Sequence, residues 1–264
     1  MKKIIAITNQ KGGVGKTTTS VNLAASVGYL GKKVLLIDMD PQGNTTSGVG
    51  IDKRAIKKSI YDVLIKNEDV NTVISSTPFT NLDVIPSNMN LSGAELELSN
   101  INDREYILKR SIEEIATRYD YIFIDCPPSL GLLTTNVLCA SDEIIVPLQC
   151  EFYALEGLSQ LMGTVRRIKR QYNESLDLDG LVFTMYDKRL KLTLQVRDEI
   201  EKFFSGKVYD AVIPRTVRLS ESPSFGKPVL YFDKNCKGSK AYIDLAKELI
   251  KKKEGKLCRA NKVV

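Results

Sequence analysis

Histidine is absent from all 264 residues. Its absence removes Ser-His-Asp and Cys-His catalysis, and it leaves no imidazole to bind a metal. Any chemistry here must use carboxylates, lysines, backbone amides or a bound metal. Cysteine is sparse: five residues, at 126, 139, 150, 236 and 258, with no C-x-x-C pair. An odd, scattered set builds neither a disulfide scaffold nor a zinc knuckle, and it fits a reducing, cytoplasmic setting. No stretch approaches the roughly 18 consecutive apolar residues of a membrane span. Lys2 and Lys3 precede only the short run Ile4–Ile7 before Thr8, Asn9 and Gln10, too brief for a signal peptide. Internal repeats, low-complexity tracts and Pro/Gly/Ser linkers are also missing.

What is there can build a large core, because 43% of the residues are apolar. Short β-branched runs alternate with helical patterns. Ile4–Thr8, Val34–Asp38, Asp83–Ile85, Tyr121–Asp125, Glu143–Leu148, Gly180–Thr184 and Val208–Ile213 read as strands. Several are continuously apolar, as strands of a parallel sheet covered on both faces must be. Between them, Lys16–Leu30 ends at Gly31, a C-cap residue. Leu108, Ile112 and Ile115 recur at helical spacing within Arg104–Thr117, as do Leu155, Leu158, Leu161, Met162, Val165 and Ile168 further on. This alternation predicts a single-domain α/β fold with a doubly wound, mostly parallel sheet. The domain is expected to span 1–252. A basic, frayed tail is expected over 253–264, where large apolar residues are scarce.

In such sheets ligands bind beyond the carboxyl ends of the strands. Directly after the first strand stands Lys11-Gly12-Gly13-Val14-Gly15-Lys16-Thr17-Thr18, followed at once by a helix. Glycines let backbone N–H groups turn inward on a phosphate, and the helix N-terminus adds its positive end. Lys16 can reach the β- and γ-phosphates, and the Thr17 hydroxyl can ligate Mg²⁺. The usual G-x-x-x-x-G-K-[ST] spacing is not met, since Gln10 stands at its first glycine. An extra lysine, Lys11, opens the loop instead. It is either a solvated surface charge or a compensating charge for the triphosphate. A P-loop NTPase using ATP and Mg²⁺ is therefore expected.

Two strand ends carry acids. Asp38-Met39-Asp40-Pro41-Gln42-Gly43-Asn44 ends the second strand, and two acids at i and i+2 point the same way if the strand continues. A carboxylate near the γ-phosphate can orient an attacking water, the general-base role open to a chain without histidine. Asp40 is the candidate for it. Asp38 either contacts the Mg²⁺ shell through water or braces the loop. The apolar run Tyr121–Asp125 ends in an acid followed by Cys126-Pro127-Pro128-Ser129, the arrangement in which an aspartate holds magnesium through water. Cys126, lacking any histidine partner, reads as a small buried thiol.

The loop resembles the deviant Walker A motif of the ParA/MinD ATPases. IDCPPSLG, CEFYALEGLSQL, VFTMYDKRLKLT, VIPRTVRLSESPSFGKPV and SKAYIDLAKELI extend that resemblance over nearly the whole chain. They point to the Soj/ParA chromosome-partitioning branch. The resemblance implies an ATP-bound homodimer with two nucleotides between the protomers. Lys11 would reach the partner's nucleotide, and Lys11, Lys16 and Asp40 would carry the chemistry. It also implies that Met185, Pro214 and Arg215 border the adenine. Arg189 and Arg218 would contact nonspecific double-stranded DNA, and a ParB-type centromere-binding protein would stimulate slow hydrolysis. A nucleoid-associated location follows, with control of sporulation or replication initiation as a further output.

The charge points weakly the same way: net +6, with Lys188, Arg189, Lys191, Arg215, Arg218, Lys227, Lys234, Lys237 and Lys240 clustered in loops. Lys/Arg contacts to phosphates give sequence-independent, salt-sensitive binding, and no helix-turn-helix or zinc-finger pattern suggests sequence reading. Arg166, Arg167, Lys169 and Arg170 instead crowd a helix C-terminus and complement its dipole. Two other readings compete. A MinD-like membrane switch needs an amphipathic C-terminal helix, but Tyr242, Leu245, Ala246 and Leu249 read as a core-facing stripe, so no membrane is expected. A DNA-binding regulator using ATP only as a structural ligand sits poorly with Asp40 and Asp125 both present.

Overall fold

The computed structural model describes residues 3–260, with side chains to residue 255. Seven strands form one sheet: β1 (Lys3–Ile7), β2 (Val34–Asp38), β3 (Ser75–Ser76), β4 (Leu82–Ile85), β5 (Tyr121–Asp125), β6 (Glu143–Gln149) and β7 (Asp177–Thr184). Their order is β3-β4-β2-β5-β1-β6-β7, and all pairs are parallel except β3 with β4. β1 lies centrally, with the chain winding first to the β5–β2 side and later to β6 and β7. The crevice at its carboxyl end is thus the place where this topology puts a ligand.

Successive side chains of a strand point to opposite faces, and β1 feeds two cores. Ile4 and Ala6 join Leu108, Val137 and Leu161 on one face. Ile5 and Ile7 join Leu23, Leu245 and Leu249 on the other. The second face is covered by α1 (Lys16–Tyr29) and the terminal helix Lys237–Ala260. Tyr242, Leu245, Ala246 and Leu249 are all buried there, so the apolar stripe of the last helix is spent on the core. Each large apolar side chain contributes about 2 kcal/mol by leaving water. Among the described residues no helix is long and apolar enough to cross a membrane.

Two sequence expectations meet a different structure. Val208–Ile213 is not a strand but touches β7 through one isolated bridge, Leu181 with Val208, and a second bridge joins Tyr186 and Pro214 just beyond both segments. The reason is a distant partner: the Asp210 and Ala211 amides donate to the Glu248 carboxylate of the terminal helix, at 2.9 and 3.0 Å. Those donors are therefore withdrawn from the ladder. The terminal helix also runs through residue 252, and Lys253 is buried between Glu143 and Asp179, hydrogen-bonded to both. Residues 261–264 of the expected tail lie outside the described residues.

Candidate nucleotide site

The loop between β1 and α1 is shaped by its own backbone. Asn9 donates to the Pro147 carbonyl at 2.8 Å and accepts from the Lys11 amide at 3.0 Å, which turns the chain out of the sheet. Gly13 and Gly15 then adopt φ of +74° and +87°, where a side chain would be strained. Val14 is buried between them, and its carbonyl accepts from the Thr184 hydroxyl at 2.7 Å. α1 begins without a side-chain cap and without an acid in its first turn. Its first amides and the positive end of its dipole are left for an anion.

Lys16 is the unusual group. It is 8% exposed, yet among the described residues its one hydrogen bond is to the Lys11 carbonyl across the loop, at 3.2 Å. An ammonium has three donors. Burial pulls its pKa down, opposed by the charges of Asp125 and Asp40. A buried, under-partnered cation folded over a glycine loop is built for an anion.

The acids lie just beyond. Asp38 and Asp125 are register partners on β2 and β5, and both are fully buried. Asp125 accepts three hydroxyls: Thr17 at 2.8 Å, Ser20 at 2.8 Å and Thr45 at 2.7 Å. Burial pushes its carboxyl up, and these three bonds work against that. Asp38 is pushed up to about 7, by burial first and then by Asp125. It accepts from the Asp40 amide and from both the amide and the hydroxyl of Thr46. It therefore braces the loop by gripping both of its ends. The strand does not continue, so the condition for Asp38 and Asp40 to point the same way is not met: β2 stops at Asp38 and a turn follows in which the Gly43 amide bonds the Asp40 carbonyl. Asp40 is half-buried there, near enough for its charge to act on Lys16 and Asp125. The Cys126 thiol is pushed up to about 12 by burial and by Asp125, so it stays protonated and inert.

A cavity of about 350 Å³ opens from the loop, lined by Gly13, Gly15, Thr18, Met185, Pro214 and Arg215. The residues expected to border a base are thus gathered against the phosphate loop. Met185 takes φ of +49°, rare for a residue with a side chain, and its sulfur accepts from Gln149 at 2.7 Å. Thr216, Leu219 and Pro223 also line this cavity, and local sequence patterns gave no signal for them. Thr17 and Asp125 offer hard oxygens at the loop's helix end. Among the described residues no cluster of three or more His, Cys, Asp or Glu could hold a metal. A magnesium ion there would draw its remaining ligands from phosphates and water, its usual habit.

The basic residues divide. Lys188, Arg189, Arg215, Lys237 and Lys240 share one open cleft of about 890 Å³ with Asp187 and Asp244. Arg218 does not line it; it bonds Glu221 at 3.0 Å, approaches Asp233 at 3.3 Å and lies over the Phe232 ring. Arg189, 84% exposed at its side chain, forks onto Asp187 and pulls that carboxyl down to about 2. Lys11 pairs with Glu151, and Phe152 and Tyr153 beside it are exposed.

Known proteins share this architecture. Residues 2–178 match the AAA domain family. The chain is 56% identical over 249 residues to the sporulation initiation inhibitor protein Soj of Bacillus subtilis, covering 94% of this chain and 98% of that one. It is 49% identical over 260 residues to the chromosome partitioning protein ParA of Caulobacter vibrioides, covering 98% and 97%. A solved structure of cobyrinic acid a,c-diamide synthase from Mycobacterium smegmatis, with bound ADP and magnesium, superposes with a TM-score of 0.83 at 35% identity, covering 95% of each chain.

Proposed function

This chain belongs to the AAA-domain family of ParA- and Soj-type P-loop ATPases, and from that premise we propose that it is an ATP-dependent dimerising switch that partitions DNA. ATP and Mg²⁺ bind one protomer; two loaded protomers close on each other; the dimer grips DNA without reading sequence, and hydrolysis releases it. The observation that carries this reading is Lys16, a buried ammonium with a single backbone acceptor inside an inward-turned glycine loop. Phosphate oxygens supply what that ammonium lacks.

Within this scheme Thr17 and Asp125 hold the Mg²⁺, Asp125 through water, and the bound metal offsets the phosphate charge. Met185, Pro214 and Arg215 border the base. Asp40 orients the attacking water. No arginine stands in the phosphate loop, in residues 38–44 or in residues 121–129, which suits a slow intrinsic rate that a ParB-type partner raises.

Dimerisation depends on Lys11 and on how closely two loops can approach. An added Cβ at Gly12 would meet no heavy atom within 4 Å. Gly12→Val should therefore leave ATP affinity within about threefold while abolishing the ATP dimer, since its branched side chain occupies space meant for the partner's backbone. Light scattering coupled to size exclusion, with and without ATP, checks this. A normal ATP dimer of the variant would remove the loop from the interface.

The test of the whole reading is retention on a DNA column with ATP, ADP or no nucleotide at several salt concentrations. Steep salt dependence is expected with ATP only. Joint Arg189→Glu and Arg218→Glu should spare ATP binding and lower the slope of log affinity against log salt by about 2, one unit per lost phosphate contact. An unchanged slope would take both arginines out of the DNA contact, and equal retention under all three nucleotide conditions would defeat the switch itself.

A further inference from the structure

α2 (Asn44–Gly48) directly follows the turn that carries Asp40, and its first turn presents two adjacent threonines, Thr45 and Thr46, both fully buried. Each is bound to a different acid. Thr46 holds Asp38 through its amide at 2.8 Å and its hydroxyl at 2.7 Å, and its hydroxyl oxygen accepts the Ser87 amide. Thr45 donates to Asp125 Oδ2 at 2.7 Å, the same oxygen that accepts Thr17 at 2.8 Å. One carboxylate oxygen therefore joins the second residue of the phosphate-loop helix to the second residue of the helix after Asp40. A hydroxyl has one proton. When Thr17 spends its proton on Asp125, its lone pairs are left free to accept or to ligate.

We propose that Thr45 is a positioning residue for ATP hydrolysis: through Asp125 Oδ2 it fixes the Asp40 turn relative to Thr17 and the phosphate loop. This rests on the ATPase reading above. Thr45 is fully buried, so its effect passes through Asp125 and α2. Removing its hydroxyl leaves Asp125 with the Thr17 and Ser20 bonds, so nucleotide binding should persist. The turn loses this anchor and keeps the Asp38–Thr46 grip and the Lys53 bond to the Gln42 carbonyl.

Thr45→Val removes the hydroxyl at nearly constant volume, and Thr45→Ser restores it. The expected result is a split: Kd for ATP within about twofold of wild type, and kcat lowered roughly tenfold or more, as a misplaced catalytic group produces. The serine variant should return kcat to within about threefold of wild type. Hydrogen exchange of the amides of residue 40 and residues 42–48, measured without nucleotide, should speed up in the valine variant and not in the serine variant. Wild-type kcat in Thr45→Val, or a valine variant whose Kd worsens in proportion to its lost kcat, would overturn the proposal. So would serine failing to rescue. Loss of turnover in the wild type as well would instead defeat the ATPase reading, while the exchange measurement still reports on the Thr45–Asp125 tether.

Discussion

Lys16→Ala is expected to lose ATP binding by about a thousandfold or more. The side chain donates one hydrogen bond, to the Lys11 carbonyl at 3.2 Å, and has two further donors directed into a loop that offers no carboxylate within ion-pair distance. Two charge-assisted bonds to phosphate, at about 2 kcal/mol each, come to about 4 kcal/mol, which is a factor near a thousand. The stability consequence should have the opposite sign to the usual one. Burial lowers the pKa of this ammonium, meaning the folded protein bears a desolvation cost for holding it charged. Alanine relieves that cost, so the variant's melting temperature without nucleotide should equal or exceed the wild type's, while the shift produced by ATP disappears. Lys16→Arg keeps the charge but replaces a compact ammonium on a thin stem with a planar fork. It should bind ATP little better than alanine does. Calorimetric titration with ATP and a thermal melt with and without nucleotide decide the matter. Near-normal affinity in Lys16→Ala would remove the loop as the phosphate site.

The parts of this site written in consecutive residues were legible in the sequence. The glycine loop and α1 follow from local backbone needs, since Gly13 and Gly15 both sit at positive φ. β2 and β5 match their apolar runs to the residue. What escaped was decided by distant partners. Val208–Ile213 has the composition of a strand, but Glu248, far along the chain, captures two of its amides. Lys253 reads as tail, yet Glu143 and Asp179 draw it inside. Thr45 and Thr46 drew no expectation, because nothing local says that two buried aspartates face them. For Asp38 the sequence left magnesium contact and bracing as alternatives, for the choice depends on where the chain returns at Thr46. The arginines show the same limit: charge was visible at Arg189 and Arg218, whereas their separate surroundings depend on Asp187, Glu221 and Asp233.

Asp40→Ala should leave ATP bound and stop its hydrolysis. Asp40 is half-buried, its carboxylate caps the Gln42 amide at 2.9 Å, and it makes no ion pair with Lys16. Beside a triphosphate its negative charge is a liability for binding, so the alanine variant's affinity should equal or slightly exceed that of wild type. Its worth must then lie in the reaction, where a placed carboxylate contributes about 10²- to 10⁴-fold. A fall in kcat of at least about a hundredfold is expected, with an ATP-bound dimer that persists and stays on a DNA column long after the wild type has eluted. Asp40→Asn separates the two ways a carboxylate can act. An amide can still orient a water through its carbonyl oxygen but cannot take up the proton. A rate near that of wild type would make orientation the whole of the effect; a rate as low as alanine's would make proton acceptance essential. Unchanged turnover in Asp40→Ala would move the catalytic role to another group. The remaining carboxylates at these strand ends, Asp38 and Asp125, are fully buried and committed to hydroxyls and amides, so the search would then turn to residues contributed by the second protomer.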